Sequence, residues 1–306
     1  MINYMMIGGI TLDDTVVHNS QVIFDAPGGN SIYSALGAWL WTDGIGIVSC
    51  VGPDYPRKHL QKLEDSGIDV RGIKEVEVPS QHLWVLYEED GSRQFVFHKS
   101  SSVMDSEIDP TVEQIPSDYF HARNAHLSAM GFNAQHAIAS CLVDHNLEFS
   151  YDIAQASLMI EGKQYSGNFA TSQSKLLLPS IEEIELIYGK QPLLQLLREI
   201  TKMGPKIIAV KMGSRGSIVF NAIENRAYHI PIFPVQVIDS TGAGDAYCGG
   251  FVVGYYETGS IREAGVYGTA SASFAIEEFG ALHLLEVNKN EIIKRANALR
   301  KNIETL

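Results

Sequence analysis

Cysteine is scarce in this chain of 306 residues. Only Cys50, Cys141 and Cys248 occur, scattered through apolar surroundings without metal-ligand spacing. That excludes a disulfide framework and leaves buried, reduced thiols as the expectation. The ten histidines are equally dispersed, with no His-x-x-x-His or similar spacing, so no histidine metal centre is expected. Cationic side chains are the minority: 23 Lys and Arg stand against 36 Asp and Glu, a net charge of −13 at pH 7. This argues against nucleic acid or an anionic membrane as a partner. An acidic chain can still bind a nucleoside triphosphate, because helix N-termini and Mg²⁺ supply local positive potential. No apolar run approaches the roughly 18 residues of a membrane span. The opening MINYMMIGGI lacks a cationic flank and a long apolar core, so it reads as a first strand and not as a signal peptide. A soluble, cytoplasmic protein is the expectation, and neither an internal repeat nor a low-complexity tract interrupts it.

The length suits one α/β domain, residues 1–306, carrying a small appendage. From about residue 119 strand-like and helix-like runs alternate, as a parallel sheet requires. Further strands are expected at 4–10, 45–51, 149–153 and 206–210, with helices from Asn30 to Trp41, over 57–66 and over 290–304. Two regions instead read as hairpins. One comprises residues 15–18 and 21–25 around Asn19-Ser20, the other residues 82–98 around Glu89-Asp90-Gly91-Ser92, and together they predict a small sheet outside the core.

The stretch Ile238 to Phe251, IDSTGAGDAYCGGF, is hard to explain by packing alone. A β-rich run over 228–237 precedes it, with Pro231 and Pro234 suited to an edge strand or strand end. Tyr247, Phe251, Val252 and Tyr255 recur at helical spacing, so a helix should begin near Ala243. Gly242, Ala243 and Gly244 then occupy its first turn, where amides lack intrahelical partners and the dipole favours an anion. A phosphate fits there, and glycines let backbone approach it closely. Asp245 projects from the same turn, either as ordinary dipole complementation or as a base acting on a hydroxyl. Asp13 follows the first strand, at the sheet edge where ligands bind, or is simply a turn aspartate. Pro27-Gly28-Gly29-Asn30 opens a helix with Asn30 as a candidate N-cap. Ser180 with Glu183 forms a capping box. Lys211, Gly213, Ser214 and Gly216 lie in a Gly-x-x-Gly turn that alone reads as a hairpin more often than a phosphate loop.

In order, Asp239, Ser240, Thr241, Gly242, Ala243, Gly244 and Asp245 resemble the D-T-x-G-A-G-D signature of the PfkB (ribokinase-like) carbohydrate kinase family, with Ser240 for Thr. Upstream stretches match in family order over nearly the whole chain: Gly28-Gly29-Asn30, Gly52-Pro53-Asp54, Asp152, Pro179 to Glu183 and the Gly213–Gly216 turn. The resemblance implies a three-layer α/β/α sandwich with a mostly parallel sheet and a β lid formed near residues 12–26 and 80–99. It implies an ATP-dependent kinase, using Mg²⁺ and with K⁺ as a candidate activator, that phosphorylates a hydroxyl of a small sugar or polyol. Asp245 would be the base, and the amides of residues 242–244 would hold the phosphoryl group. Asp13, Gly29, Asn30 and Tyr33 would bind the acceptor. Ser180, Lys211, Gly213, Ser214, Gly216, Gly244 and Thr269 would bind nucleotide, Glu183 would hold Mg²⁺ through water, and Asp239 and Thr241 would serve a monovalent cation. Lid aromatics Trp84, Tyr87 and Phe95, expected to be exposed, would cover the substrate or join a homodimer. Tyr33 and Ser180 replace family asparagines, Arg57 replaces a glycine, and Gln155-Ala156-Ser157 lacks the arginine of acid-sugar and fructose kinases. A nucleoside kinase, or a regulatory protein that binds without turnover, are the alternatives.

Overall fold

The computed structural model describes residues 1–17, 22–88, 93–98, 108–153 and 169–306. Three turns or segments singled out above, Asn19-Ser20, Glu89 to Ser92 and Gln155 to Ser157, lie outside these residues. The core is a ten-stranded sheet. Seven parallel strands run in the spatial order β5 (Asp69–Glu75), β4 (Ile45–Val51), β1 (Tyr4–Ile7), β8 (Asn124–Leu127), β9 (Phe149–Tyr151), β10 (Leu176–Leu177) and β11 (Ile207–Lys211). Antiparallel strands β12 (Ser217–Asn221), β13 (Arg226–Ile230) and β14 (Glu304–Thr305) complete one edge.

Period-two alternation feeds two cores. Tyr4, Met6, Ile207 and Ala209 point to one face, where α1 (Asn30–Trp39), α2 (Arg57–Asp65), α7 (Ala243–Thr258) and α8 (Ile261–Ala275) cover them, with α9 (Lys289–Leu299) against α8. Met5, Ile7, Ile208 and Val210 point to the other, under α3 (Phe132–Asp144), α4 (Phe169–Gln173), α5 (Ile181–Tyr188) and α6 (Leu193–Ile200). Alternating apolar residues in strands buried on both faces make this three-layer arrangement the low-energy one.

Helix α7 is the buried axle of its layer. Every residue from Ala246 to Gly254 is buried, so the expected single apolar stripe is only part of the story. A Cβ at Gly249 would lie 1.9 Å from the Ser34 carbonyl, and one at Gly250 would lie 2.4 Å from Ser271 Oγ. The glycines therefore let α1 and α8 pack directly on the α7 backbone.

The segments expected to form a lid make a separate four-stranded sheet in the order β3 (Val22–Gly28), β2 (Thr11–Val16), β6 (Gln81–Tyr87), β7 (Arg93–Phe97). The two hairpins join through a parallel pairing of β2 with β6.

Three expectations change. Strand β13 stops at Ile230, because Pro231 cannot donate to the ladder. Helix α9 ends at Leu299, and Glu304–Thr305 instead pair with β13 as an edge strand. Gly29, at φ +98, caps α1, and Asn30 is its first helical residue. The Asn30 side chain instead ties together the loops after β1 and β8. Its Oδ1 accepts the Gly9 amide at 2.8 Å, and its Nδ2 donates to the Ala129 carbonyl. These loops flank the point where strand order reverses, the usual ligand crevice of an open α/β sheet. Among the described residues, no helix is long and apolar enough to cross a membrane.

Candidate active site

The first turn of α7 faces that crevice, held by the loop before it. The amides of Ile238 and Asp239 both donate to the Ile276 carbonyl at the end of α8, at 2.8 and 3.3 Å. Asp239, only 2% exposed, folds back to accept the Thr241 amide at 2.8 Å and the Tyr87 hydroxyl from the lid. Tyr87 in turn accepts the Ser240 amide at 2.8 Å. The chain then turns through Gly242 at φ +73, and the Ala243 amide makes a long 3.4 Å bond to the Ser240 carbonyl. Asp245 stands half-buried in the first turn.

Gly242 also meets a packing demand that the sequence reading did not contain. A Cβ there would fall 2.2 Å from the Tyr33 ring, so the missing side chain makes room for that ring as well as permitting the left-handed turn. Tyr33 is 2% exposed beneath the loop. Its phenol is pushed well above the usual value, first by burial and then by the charges of Asp239, Asp13 and Asp245. The charges of all three carboxylates thus act on the one phenol.

Asp13 comes from β2, buried and accepting the Thr11 hydroxyl at 2.7 Å. Gly28 leaves it room, for a Cβ there would sit 2.0 Å from Asp13 Oδ2. Burial pushes the carboxyl up to about 7, and the nearby Asp239 charge adds to the rise. A carboxyl so placed accepts hydrogen bonds from hydroxyls readily once ionised.

On the other side of the α7 turn, Lys211 at the end of β11 donates to Asp152 Oδ2 just after β9, with Cys248 Sγ 3.5 Å from Lys211 Nζ. Burial opposes the ammonium charge, yet Asp152, Cys248 and Glu183 hold it well above its ordinary value. Lys211 Nζ also lies 3.7 Å from where a Gly244 Cβ would stand, so a fixed cation adjoins the α7 turn. Ser180 and Glu183 form the expected capping box: Ser180 Oγ accepts the Glu183 amide at 3.2 Å, and Glu183 Oε2 accepts the Ser180 amide at 2.7 Å. Burial, then the Asp152 charge, pushes Glu183 up to about 7. Asp152 and Glu183 are hard oxygen donors of the kind a hydrated Mg²⁺ accepts.

The remaining candidates lie further out. Gly213, Ser214 and Arg215 form a 3₁₀ turn before β12, and Gly216, at φ +81, would place a Cβ 2.2 Å from the Ile230 carbonyl, a packing demand. Thr269 is buried in α8. Tyr87 is not the outward-facing aromatic that was expected, since it points to Asp239. Alternation along β6 contained the signal, because Tyr87 shares parity with the buried Leu83 and Val85. The Lys211–Asp152 pair joins residues 59 apart in sequence, which spacing does not reveal.

A family model described as pfkB family carbohydrate kinase matches residues 5–288. The chain belongs to this family. It is similar to a cytidine kinase of Thermococcus kodakarensis, 24% identical over 286 residues that cover 92% of this chain and 98% of the relative. Its fold matches a protein described as ribokinase II of E. coli in complex with ATP and Mg²⁺ (TM-score 0.80, 20% identity, 97% of this chain and 100% of that one). It also matches the nucleoside kinase of Methanocaldococcus jannaschii, described as an archaeal ribokinase-family member (TM-score 0.77, 20% identity, 97% and 99%). The protein is therefore a kinase of ribokinase-like fold.

Proposed function

We propose that this kinase transfers the γ-phosphoryl group of ATP to a hydroxyl of a nucleoside, with Asp245 as general base. The observation that carries this reading is the packing of Tyr33 under Gly242, where the charges of Asp13, Asp239 and Asp245 all act on its phenol, with the Lys211 cation beside Gly244. Asp13, seated by Thr11 and Gly28, accepts hydrogen bonds from the acceptor's hydroxyls, with Gly29 and Asn30 as further acceptor-binding residues. Asp245 takes the proton of the attacking hydroxyl, a contribution of about 10²–10⁴-fold. The amides of Gly242, Ala243 and Gly244 stabilise the charge on the transferring group, each such donor contributing about 3–4 kcal/mol. Lys211 adds a cation on the same side, and Ser180, Gly213, Ser214, Gly216 and Thr269 line the path proposed for the nucleotide. Glu183, with Asp152, would hold Mg²⁺ through water, and the ion would neutralise phosphate charge.

A nucleoside is favoured over a plain sugar because Phe95, 48% exposed, pairs with Val85 on the face of the lid that also carries Asp13 and Tyr87. That placement offers an apolar ring to a base while Asp13 holds the ribose. The full-length cytidine kinase relative supports the same reading. Tyr33, buried under Gly242, would act through its hydroxyl and not by stacking. Asp239 and Thr241 would border a K⁺ site at the end of α8. The outer lid face, with Phe24 at 61% and Val96 at 44% exposure, would serve a homodimer.

ADP release from Mg·ATP with K⁺, across nucleosides, pentoses, hexoses and polyols, tests this. Release that depends on nucleosides and falls at least a hundredfold in Asp245→Asn is expected. Release with sugars alone would reassign the acceptor. Tight binding without release would make the protein a non-catalytic binder.

A further inference from the structure

We propose that Asp14, His82 and His98, on the outer face of the lid, form a binding site for a divalent transition-metal ion of the zinc class. Alternation along β2 sends Asp13 into the pocket and Asp14 to the opposite face. The register sets His82 beside Leu12 on that same face. The amide of His98, which follows β7, donates to the His82 carbonyl at 2.9 Å, making the two histidines a cross-strand pair. Strands β2 and β6 and the residue after β7 thus deliver one donor each.

The geometry suits a shared ion. Asp14 Oδ2 lies 3.1 Å from His82 Nε2 and 3.4 Å from His98 Nε2, and the three donor atoms fall within 4.8 Å of one another. Donors on a tetrahedral Zn²⁺ with bonds of about 2.0–2.1 Å stand about 3.3 Å apart. The imidazole rings are stacked at 4.0 Å, so a small splay would let both nitrogens converge on one ion. Supporting contacts fix the donors: Asp14 Oδ1 accepts the Asp25 amide at 2.9 Å, and the Trp84 ring stacks on His98 at 5.5 Å. Such outer contacts orient ligands in metal sites. The Asp25 carboxylate, 3.7 Å from His82 Nε2, stands within reach of a fourth position. Asp14 is buried, whereas the His82 and His98 side chains are 20% and 28% exposed, which leaves an entry path. Two imidazoles and a carboxylate select zinc-class ions, while Mg²⁺ prefers oxygen alone, so this site is chemically distinct from the one at Glu183. A bound ion would cross-link β2, β6 and β7, the strands whose inner face carries Asp13 and Tyr87.

The test is equilibrium dialysis of the full-length protein against Zn²⁺ without nucleotide, followed by Co²⁺ titration. One Zn²⁺ per chain is expected, with Co²⁺ giving visible absorption bands and quenching tryptophan fluorescence through Trp84. His82→Gln and His98→Gln, each at a partly exposed position, should weaken Zn²⁺ at least tenfold and remove the Co²⁺ bands. Glu183→Gln should leave the stoichiometry at one. Thermal melting of each variant confirms that it is folded. Absence of stoichiometric Zn²⁺ in the unmutated protein, or undiminished binding in both folded histidine variants, overturns the proposal.

Discussion

The Tyr87 hydroxyl, carried on a lid strand, is bonded to the Asp239 carboxylate in the loop that leads into α7. With the Ser240 amide donating back to it, one side chain fastens the small sheet to the turn proposed to hold the transferring phosphate. Lid position and the shape of that turn are therefore coupled. Tyr87→Phe leaves a buried carboxylate and an amide each short of a partner, which costs about 1–3 kcal/mol per buried group. The expected result is a lower melting temperature, a raised KM for the acceptor with a smaller change in kcat, and more ADP release without acceptor, because an open lid admits water. Kinetics and melting that match the unmutated enzyme would remove Tyr87 from this role.

Asp13 gives a pH prediction. Its folded carboxyl is pushed up to about 7, whereas an unfolded aspartate titrates near about 3.9. The folded state holds this proton more tightly, so the stability it contributes is complete below about pH 4 and is lost as pH rises to about 7. Glu183, raised to a similar value, acts with the same sign. Asp13→Asn removes one of the two titrations. Its stability should decline less steeply across that window, by up to about 1.4 kcal/mol per pH unit. Denaturant melts at a series of pH values check this, and parallel curves for the two proteins would refute it. Acceptor binding should be lost at every pH.

Much of the architecture was legible because local pattern and global fold agree. Continuous apolar runs such as Ile45–Val51, buried at all seven positions, can only be strands covered on both faces. The start of α7 at Ala243 followed from its apolar spacing and the glycines before it. The capping box at Ser180 and Glu183 was readable because it is local. What stayed hidden depends on long-range placement. Nothing in the spacing of His82 and His98 signals a meeting, since strand register creates it. The packing of Tyr33 against Gly242, 209 positions later, likewise arises only when α1 and α7 are brought together.

Lys211 should matter to stability and turnover through different partners. Lys211→Met leaves Asp152 buried beside Glu183 without a cation, and breaking such a pair costs about 3–5 kcal/mol. The KM for ATP should rise too, because the cation beside Gly244 is gone. In Lys211→Met with Asp152→Leu, the uncompensated charge is removed, so stability should largely return while the KM for Mg·ATP stays high, because the cation and a carboxylate proposed to hold Mg²⁺ are both absent. Chemical denaturation and steady-state kinetics on both variants separate the roles. Recovery of ATP affinity in the double variant would show that Lys211 serves only the fold.

Gly242 meets two independent demands, and they can be divided experimentally. Its φ of +73 is left-handed, which costs a residue with a Cβ about 1–2 kcal/mol. The added Cβ would also stand 2.2 Å from the Tyr33 ring, and overpacking of this kind costs about 1–3 kcal/mol. Gly242→Ala should therefore destabilise by the sum, about 2–5 kcal/mol, and displace the first-turn amides enough to lower kcat. Tyr33→Ala alone opens a cavity under the loop and carries its own large-to-small penalty. Combined, the two changes should destabilise by less than their separate effects added, since the cavity accepts the new methyl. The backbone strain persists, so the combined variant should remain less stable than Tyr33→Ala. A double-mutant cycle from denaturant unfolding measures the coupling. Strict additivity would mean that the Tyr33 ring moves aside freely, and that backbone strain alone requires glycine at this turn.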